Sequence, residues 1–158
     1  MRAVVTGGAG FIGSHLVKRL VEEGNHVTVI DNFSTGSLDN LEGVHCKIIR
    51  ANITQSLPEI KHDVLFHLAA PVSVAESLQN PRKYHTEIGD GTSSIVYWSI
   101  ANGATSVVAA STAAVYGDTQ DLPLGEDRNL KPMSPYAEAK LMSESVIEDL
   151  VNDFEING

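Results

Sequence analysis

Only one cysteine, Cys46, stands in this chain, so no intrachain disulfide can form. A reducing, cytoplasmic setting fits that scarcity. No apolar run approaches the roughly 20 residues that a membrane-spanning helix needs. No charged stretch with a cleavage site precedes the first apolar residues, so no secretory leader is expected. Basic residues are few, 11 Lys+Arg against 20 Asp+Glu, and they do not cluster. The net charge of −9 argues against nucleic acid or an anionic membrane as partner and is read as solubility. The histidines at 15, 26, 45, 62, 67 and 85 are scattered, with no pair at metal-ligand spacing, so no metal is expected. Internal repeats, low-complexity stretches and linkers are absent too. What remains is a chain of 158 residues, 42% hydrophobic, which suits one domain over 1–158 with a full core.

Residues 2–6 read as a short buried strand, followed by glycines and an amphipathic helix over 11–23. Phe11, Ile12, Leu16, Val17 and Leu20 form its apolar stripe, and Gly24 with Asn25 stops it. Further strands are expected at 26–31, 46–50, 63–68 and 106–110. A polar loop separates the second and third strands. A mostly helical segment runs from 81 to 102, with Pro81 at its start and Gly103 after its end. A proline-rich loop then leads to a last helix over 135–153. This alternation predicts an α/β fold: a doubly wound parallel sheet of order 3-2-1-4-5. A cofactor would cross the carboxyl ends of the strands, at the switch between strands 1 and 4.

The first strand ends in TGGAGFIG, where Gly8, Gly10 and Gly13 satisfy G-x-G-x-x-G. Gly7, Gly10 and Gly13 satisfy the related G-x-x-G-x-x-G. Early glycines allow a tight turn and close approach of a pyrophosphate; the last lets helix and strand pack closely. The phosphates would meet unpaired N–H groups at the positive end of the helix. Glycine-rich turns are common, but this one follows a strand, opens a helix and has an acid at the end of strand two. That acid, Asp31, can accept hydrogen bonds from adenosine ribose hydroxyls and would repel a 2′-phosphate, which favours NAD over NADP. A turn or capping aspartate is the other reading of Asp31.

The second constellation is Tyr136-x-x-x-Lys140 in SPYAEAK. Positions i and i+4 share a helix face, so phenol and ammonium point into one cleft. A free phenol titrates near pH 10, and a nearby cation favours the phenolate that a base requires. Strand five leads into Ser111-Thr112, where a hydroxyl can bond a sugar hydroxyl and guide a proton to Tyr136. Each of these features alone has an ordinary structural explanation; together they point to chemistry.

In order and spacing, TGGAGFIG, VIDNFSTG, HLAA at 67–70, ASTAAVYGD at 110–118 and SPYAEAK resemble the extended short-chain dehydrogenase/reductase family over essentially the whole chain. The resemblance implies a Rossmann-type fold and NAD as cofactor. It gives Thr112 the hydroxyl role, Tyr136 the general acid/base role and Lys140 that of the supporting cation. It places Gly7, Gly10, Phe11, Ile12, Gly13, Asp31, Asn32, Ser34, Thr35, Gly36, Asn52, Ile53, Leu68, Ala69, Ala70 and Pro71 along the cofactor, with Tyr136 and Lys140. The run DNFSTG looks most like the UDP-glucose 4-epimerase branch, whose members transiently oxidise C4 of a nucleotide-sugar. In the related dehydratases acidic residues follow the strand-five hydroxyl; Ala113 and Ala114 stand here instead. Departures are Pro71, Asn52 and above all Ile88, which takes the place of an asparagine in the N-x-x-G-T motif while Gly91 and Thr92 are kept. Family members are much longer, and their C-terminal half supplies further strands and the domain that grips the UDP-sugar. The chain is therefore expected to lack that substrate domain, to leave an apolar edge beside strand five, and to self-associate or use a completing partner chain. A catalytically incomplete NAD-binding module or fragment is the first alternative to an active epimerase, and another nucleotide-sugar dehydratase or reductase of the same family is the second.

Overall fold

Val4 faces one apolar layer while its neighbours Ala3 and Val5 face another. That period of two places β1 (Arg2–Thr6) at the centre of a sheet covered on both sides. The computed structural model describes residues 1–119 and 123–158. Among these, β1 pairs with β2 (His26–Asp31) and β4 (Val64–His67), and β3 (Lys47–Arg50) and β5 (Ser106–Ala109) complete the sheet. Every pairing is parallel and the order is β3-β2-β1-β4-β5, as the sequence predicts.

On one face α1 (Phe11–Glu22) sets Val17 and Leu20 against Ala3, Val5, Val27 and Val29. On the other, Ile95 and Val96 of α4 (Gly91–Ala101) and Leu150 of α5 (Pro135–Asp153) meet Val4, Ile30, Leu65 and Val107. Each such fully buried side chain contributes about 1.5–3 kcal/mol. The expected stripe of α1 needs correction: Phe11 and Ile12 are 81% and 65% exposed. They stand on the first turn, which packs on the glycine turn through Gly13 rather than on the sheet.

Before the long helical segment lies a short helix, α2 (Val74–Gln79), capped by Ser73. The sequence hides it because Val74 and Leu78 are exposed and leave no apolar period. The segment itself starts as α3 (Pro81–Tyr84), passes through a π-turn at His85–Asp90 and continues as α4. Two 3-10 turns interrupt expected loops, at Leu38–Leu41 and Ala113–Tyr116. Residues 120–122 of the loop before α5 lie outside the described residues.

The edge of β5 is partly engaged. Asn157 pairs in parallel beside Ser106, donating to the Thr105 carbonyl and accepting from the Val107 amide. Farther along, the alternation of a parallel ladder turns the Val107 carbonyl and the Ala109 amide toward the same edge. No helix among the described residues is long and apolar enough to cross a membrane.

Candidate functional site

The glycine turn is built by close approach. Gly7 adopts φ +68°, and a Cβ there would lie 2.8 Å from the Ala69 amide nitrogen. A Cβ on Gly13 would lie 2.1 Å from the Gly7 carbonyl oxygen. Gly10 caps α1 without a side chain, and its carbonyl takes the Ser14 amide. The amides of Phe11, Ile12 and Gly13 therefore precede the helical ladder and point at the turn, at the positive end of a 12-residue helix.

Asp31 holds this turn. Its buried carboxylate accepts the Ala9 amide at 2.9 Å through one oxygen and the Phe33 amide at 2.8 Å through the other. Both sequence readings of Asp31 thus stay compatible, because each carboxylate oxygen keeps a lone pair for a further donor. The Ala9 carbonyl in turn accepts the Ser37 amide and the Asn40 side chain, and Gly36 lies against Ala9. This strap binds DNFSTG to the glycine turn, and sequence reading missed Ala9 and Asn40 as its parts. Asn32 closes an Asx-turn onto the Ser34 amide, with Asn32, Ser34 and Thr35 exposed. Asn52 does the same for Thr54. The Ile53 side chain is buried in the core beneath Gly91.

Opposite the turn, the Leu68 and Ala69 amides donate to the Thr6 hydroxyl oxygen. Ala70 packs with Tyr84, Ile88, Ala139 and Tyr136, and so joins this floor to α5; Pro71 follows, half-buried. Ser134 caps α5 by accepting the Ala137 amide, and Pro135 occupies its first position. Tyr136 and Lys140 follow one turn apart. Lys140 is buried and its ammonium donates to the Ala110 carbonyl. Burial pushes its pKa below the usual lysine value, and nearby Glu144 opposes that shift. The Tyr136 ring meets Tyr84 edge-to-face, 6.3 Å between centroids. Tyr84 is fully buried and fixed at its hydroxyl, which donates to Glu76 and accepts the Ser73 amide. In the sequence Tyr84 is no more than a lone aromatic.

The two hydroxyls after β5 have different commitments. Ser111 donates to Glu144. Thr112 accepts the Ala114 amide to cap the 3-10 turn, which leaves its proton available. Ile88 sits in the π-turn, 1% exposed, in an apolar setting against Tyr84 and Ala139. Between β5 and α5 runs a groove of about 540 Å³ whose lining includes His67, Ala110, Ser111, Lys140 and Glu144. Among the described residues no group of three His, Cys, Asp or Glu side chains is arranged to hold a metal.

His67 is buried, and burial, with the Lys140 cation adding to it, drops its pKa from 6.5 to about 3. Below pH 6.5 the unfolded chain takes up a proton that the folded protein refuses. Stability is therefore complete at neutral pH and declines as pH falls toward about 3, by several kcal/mol in all. His62, also lowered by burial, adds in the same direction. Asp63, held at about 2 by Arg2, acts only in a lower window, below 3.8. Urea midpoints should fall steadily between pH 7 and pH 5, before carboxylates titrate. A flat midpoint over that interval would contradict the buried neutral imidazole.

A parallel sheet wound on both faces, with a glycine turn after β1 and a Tyr-Lys helix beyond the switch point, defines the Rossmann-type α/β class. The chain belongs to the NAD dependent epimerase/dehydratase family, whose profile matches residues 3–158. A curated relative, the UDP-glucose 4-epimerase of Mycolicibacterium smegmatis, is 36% identical over 167 residues, covering 99% of this chain and 53% of its own length. The UDP-N-acetylglucosamine 4-epimerase of Methanobrevibacter ruminantium, solved with UDP-N-acetylmuramic acid, superposes with a TM-score of 0.92 at 35% identity. That match covers 98% of this chain and 52% of the other. The UDP-glucose 4-epimerase of Brucella ovis, solved with NAD, gives a TM-score of 0.87 at 30% identity over 98% of this chain and 49% of the other. The chain thus spans about half the length of these proteins.

Proposed function

We propose that residues 1–158 form the NAD-binding domain of a nucleotide-sugar 4-epimerase acting on a UDP-sugar, UDP-glucose or a close relative. The observation that carries this reading is the arrangement of groups on either side of the strand ends. The glycine turn, strapped by Asp31, lies on one side; Tyr136 and Lys140 lie on the other. The residues fit NAD by their chemistry. Unpartnered amides of Phe11, Ile12 and Gly13 suit a pyrophosphate. Asp31 suits ribose hydroxyls and disfavours a 2′-phosphate. NAD, when bound, supplies the acceptor and donor of hydride.

The chain's own groups move the proton. Tyr136 takes the proton of the sugar 4-hydroxyl and gives it back after the hydride returns to the other face. Thr112 contributes the hydroxyl that guides that proton, since Ser111 is committed to Glu144. Lys140 supplies positive charge, and its ammonium has donors left after bonding Ala110. Ala113 and Ala114 cannot transfer protons, which favours epimerisation over dehydration. A reducing, cytoplasmic setting and a homo-oligomer or completing partner chain belong to the same reading. A catalytically incomplete NAD-binding module is the second reading, favoured by Ile88, which offers the site no polar group.

Calorimetric titration of NAD⁺ and NADP⁺ into wild type and Asp31→Asn tests the first step. Asn keeps an acceptor for one of the two turn amides, sets its NH2 group against the other, and removes the charge. NAD⁺ should bind wild type at least about tenfold more tightly, a difference near 1.4 kcal/mol, and the variant should lose most of that preference. Equal wild-type affinities would sink the proposed role of Asp31. Interconversion of UDP-glucose and UDP-galactose by the same sample, sized by light scattering, separates epimerase from module.

A further inference from the structure

We propose that His67 and Thr92 are positioning residues, linking the cofactor floor to the Tyr136–Lys140 helix through hydrogen bonds that all run one way. Four buried side chains form the link: Thr6 on β1, His67 on β4, Thr92 on α4 and Ser143 on α5. His67 Nδ1 lies 2.7 Å from Thr6 Oγ1, and its Nε2 lies 3.1 Å from Thr92 Oγ1. Thr92 Oγ1 lies 3.1 Å from Ser143 Oγ.

Direction follows from each end independently. Thr6 Oγ1 accepts the Ala69 amide and shares the Leu68 amide with the Thr6 carbonyl; among the described residues its own proton has no other acceptor, so it goes to His67 Nδ1. At the other end, Ser143 Oγ lies 3.0 Å from the Ala139 carbonyl and 3.4 Å from the Ile88 carbonyl. Carbonyls only accept, so the Ser143 proton is spent there and Ser143 must accept from Thr92. Thr92 must then accept from His67 Nε2. Both ends demand the same neutral tautomer, protonated at Nε2 and bare at Nδ1. Reversing any one bond would strand a buried hydroxyl proton or lone pair.

The main chain closes a second path between the same elements. The His67 carbonyl accepts the Ala110 amide, and the Ala110 carbonyl accepts the Lys140 ammonium. Ser143 stands three residues beyond Lys140 on the same helix. A shift of the Ala69 floor is thereby felt at Ala139 and Lys140 through two routes. The consequence for the cofactor rests on the NAD-binding reading; the orientation of the hydrogen bonds does not.

The first measurement is ¹⁵N NMR of the imidazoles in the intact chain at pH 7. His67 should show a protonated Nε2 and a bare Nδ1. The Nδ1–H tautomer, or an imidazolium, would overturn the proposal whatever the chain binds. The second is amide hydrogen exchange in Thr92→Val, with Ser143→Ala as the milder break and Thr92→Ser as the conservative variant. The Ala69 amide, which donates to Thr6 Oγ1, should exchange about tenfold faster in Thr92→Val and recover in Thr92→Ser, while β1–β2 ladder amides stay as protected as in wild type. NAD⁺ affinity should fall in step. A rise shared equally by all sheet amides would mark mere destabilisation and overturn the positioning role, as would unchanged exchange at Ala69. Selective exchange at Ala69 in a chain that binds no NAD⁺ would uphold the linkage and count against the functional reading alone.

Discussion

Gly13→Ala is expected to abolish dinucleotide binding and lower the urea midpoint of the chain. The added Cβ would sit 2.1 Å from the Gly7 carbonyl oxygen and 2.8 Å from the Gly8 Cα, both main-chain atoms with no rotamer to yield. Relief requires α1 to move off β1, which opens the contacts of Val17 and Leu20 with the strands. Overpacking of this kind costs about 1–3 kcal/mol or more. The same shift swings the Phe11 and Ile12 amides away from the turn. Gly24→Ala is the control: its φ is +80° but no atom lies within 4 Å of a Cβ there, so the backbone cost of about 1 kcal/mol appears without loss of binding. Urea unfolding and NAD⁺ titration on the two variants separate stability from binding. Normal NAD⁺ affinity in Gly13→Ala would mean that this turn is not the phosphate cradle.

Under the proposed reading, Tyr136→Phe is expected to remove turnover and spare cofactor binding. In a preparation that interconverts UDP-glucose and UDP-galactose, loss of one positioned acid/base group should cost about 10²–10⁴ in rate. The ring remains, so the edge-to-face contact with Tyr84 and the packing with Ala70 and Ala139 persist. Thermal midpoint and NAD⁺ affinity should accordingly stay near wild type, and kcat should carry the effect. Undiminished kcat would show that another group is the base, with Thr112 the next to replace.

The frame of this fold was legible because its signals are local. Apolar strands alternate with capped helices, and the glycine turn lies between the first strand and helix. Sheet order followed from the rules of crossover and the place of that turn. Signals that depend on distant partners were not legible. The Asp31 carboxylate read as a ribose acceptor or a turn aspartate, and its bond to the Phe33 amide is such a turn, but nothing local told that it also holds the Ala9 amide. The packing of the Ile53 side chain into the core beneath Gly91 likewise depends on partners distant in sequence. Tyr84 and the Thr6–His67–Thr92–Ser143 link are ordinary residues in the sequence; only the tertiary fold brings β1, β4, α4 and α5 together around them. Phe11 and Ile12 show the reverse error: their helical spacing reads as core, whereas the first turn of α1 overhangs the glycine turn.

The π-turn at His85–Asp90 acts as a phase correction between two helical surfaces. Upstream, Tyr84 must face Tyr136 and Ala139; downstream, Thr92, Ile95 and Val96 must face the sheet and its buried imidazole. A regular α-helix advances about 100° per residue, so these two demands fall out of step by a fraction of a turn unless one residue is absorbed between them. Ile88 and Gly89 are the buried residues of this π-turn. Gly89 lies so close to the Met142 side chain that a Cβ there would meet its sulfur at 3.0 Å. The helical segment thus carries two faces, one packed on the sheet core and the other against the tyrosine. Residues of either face could change during divergence without the other being re-registered.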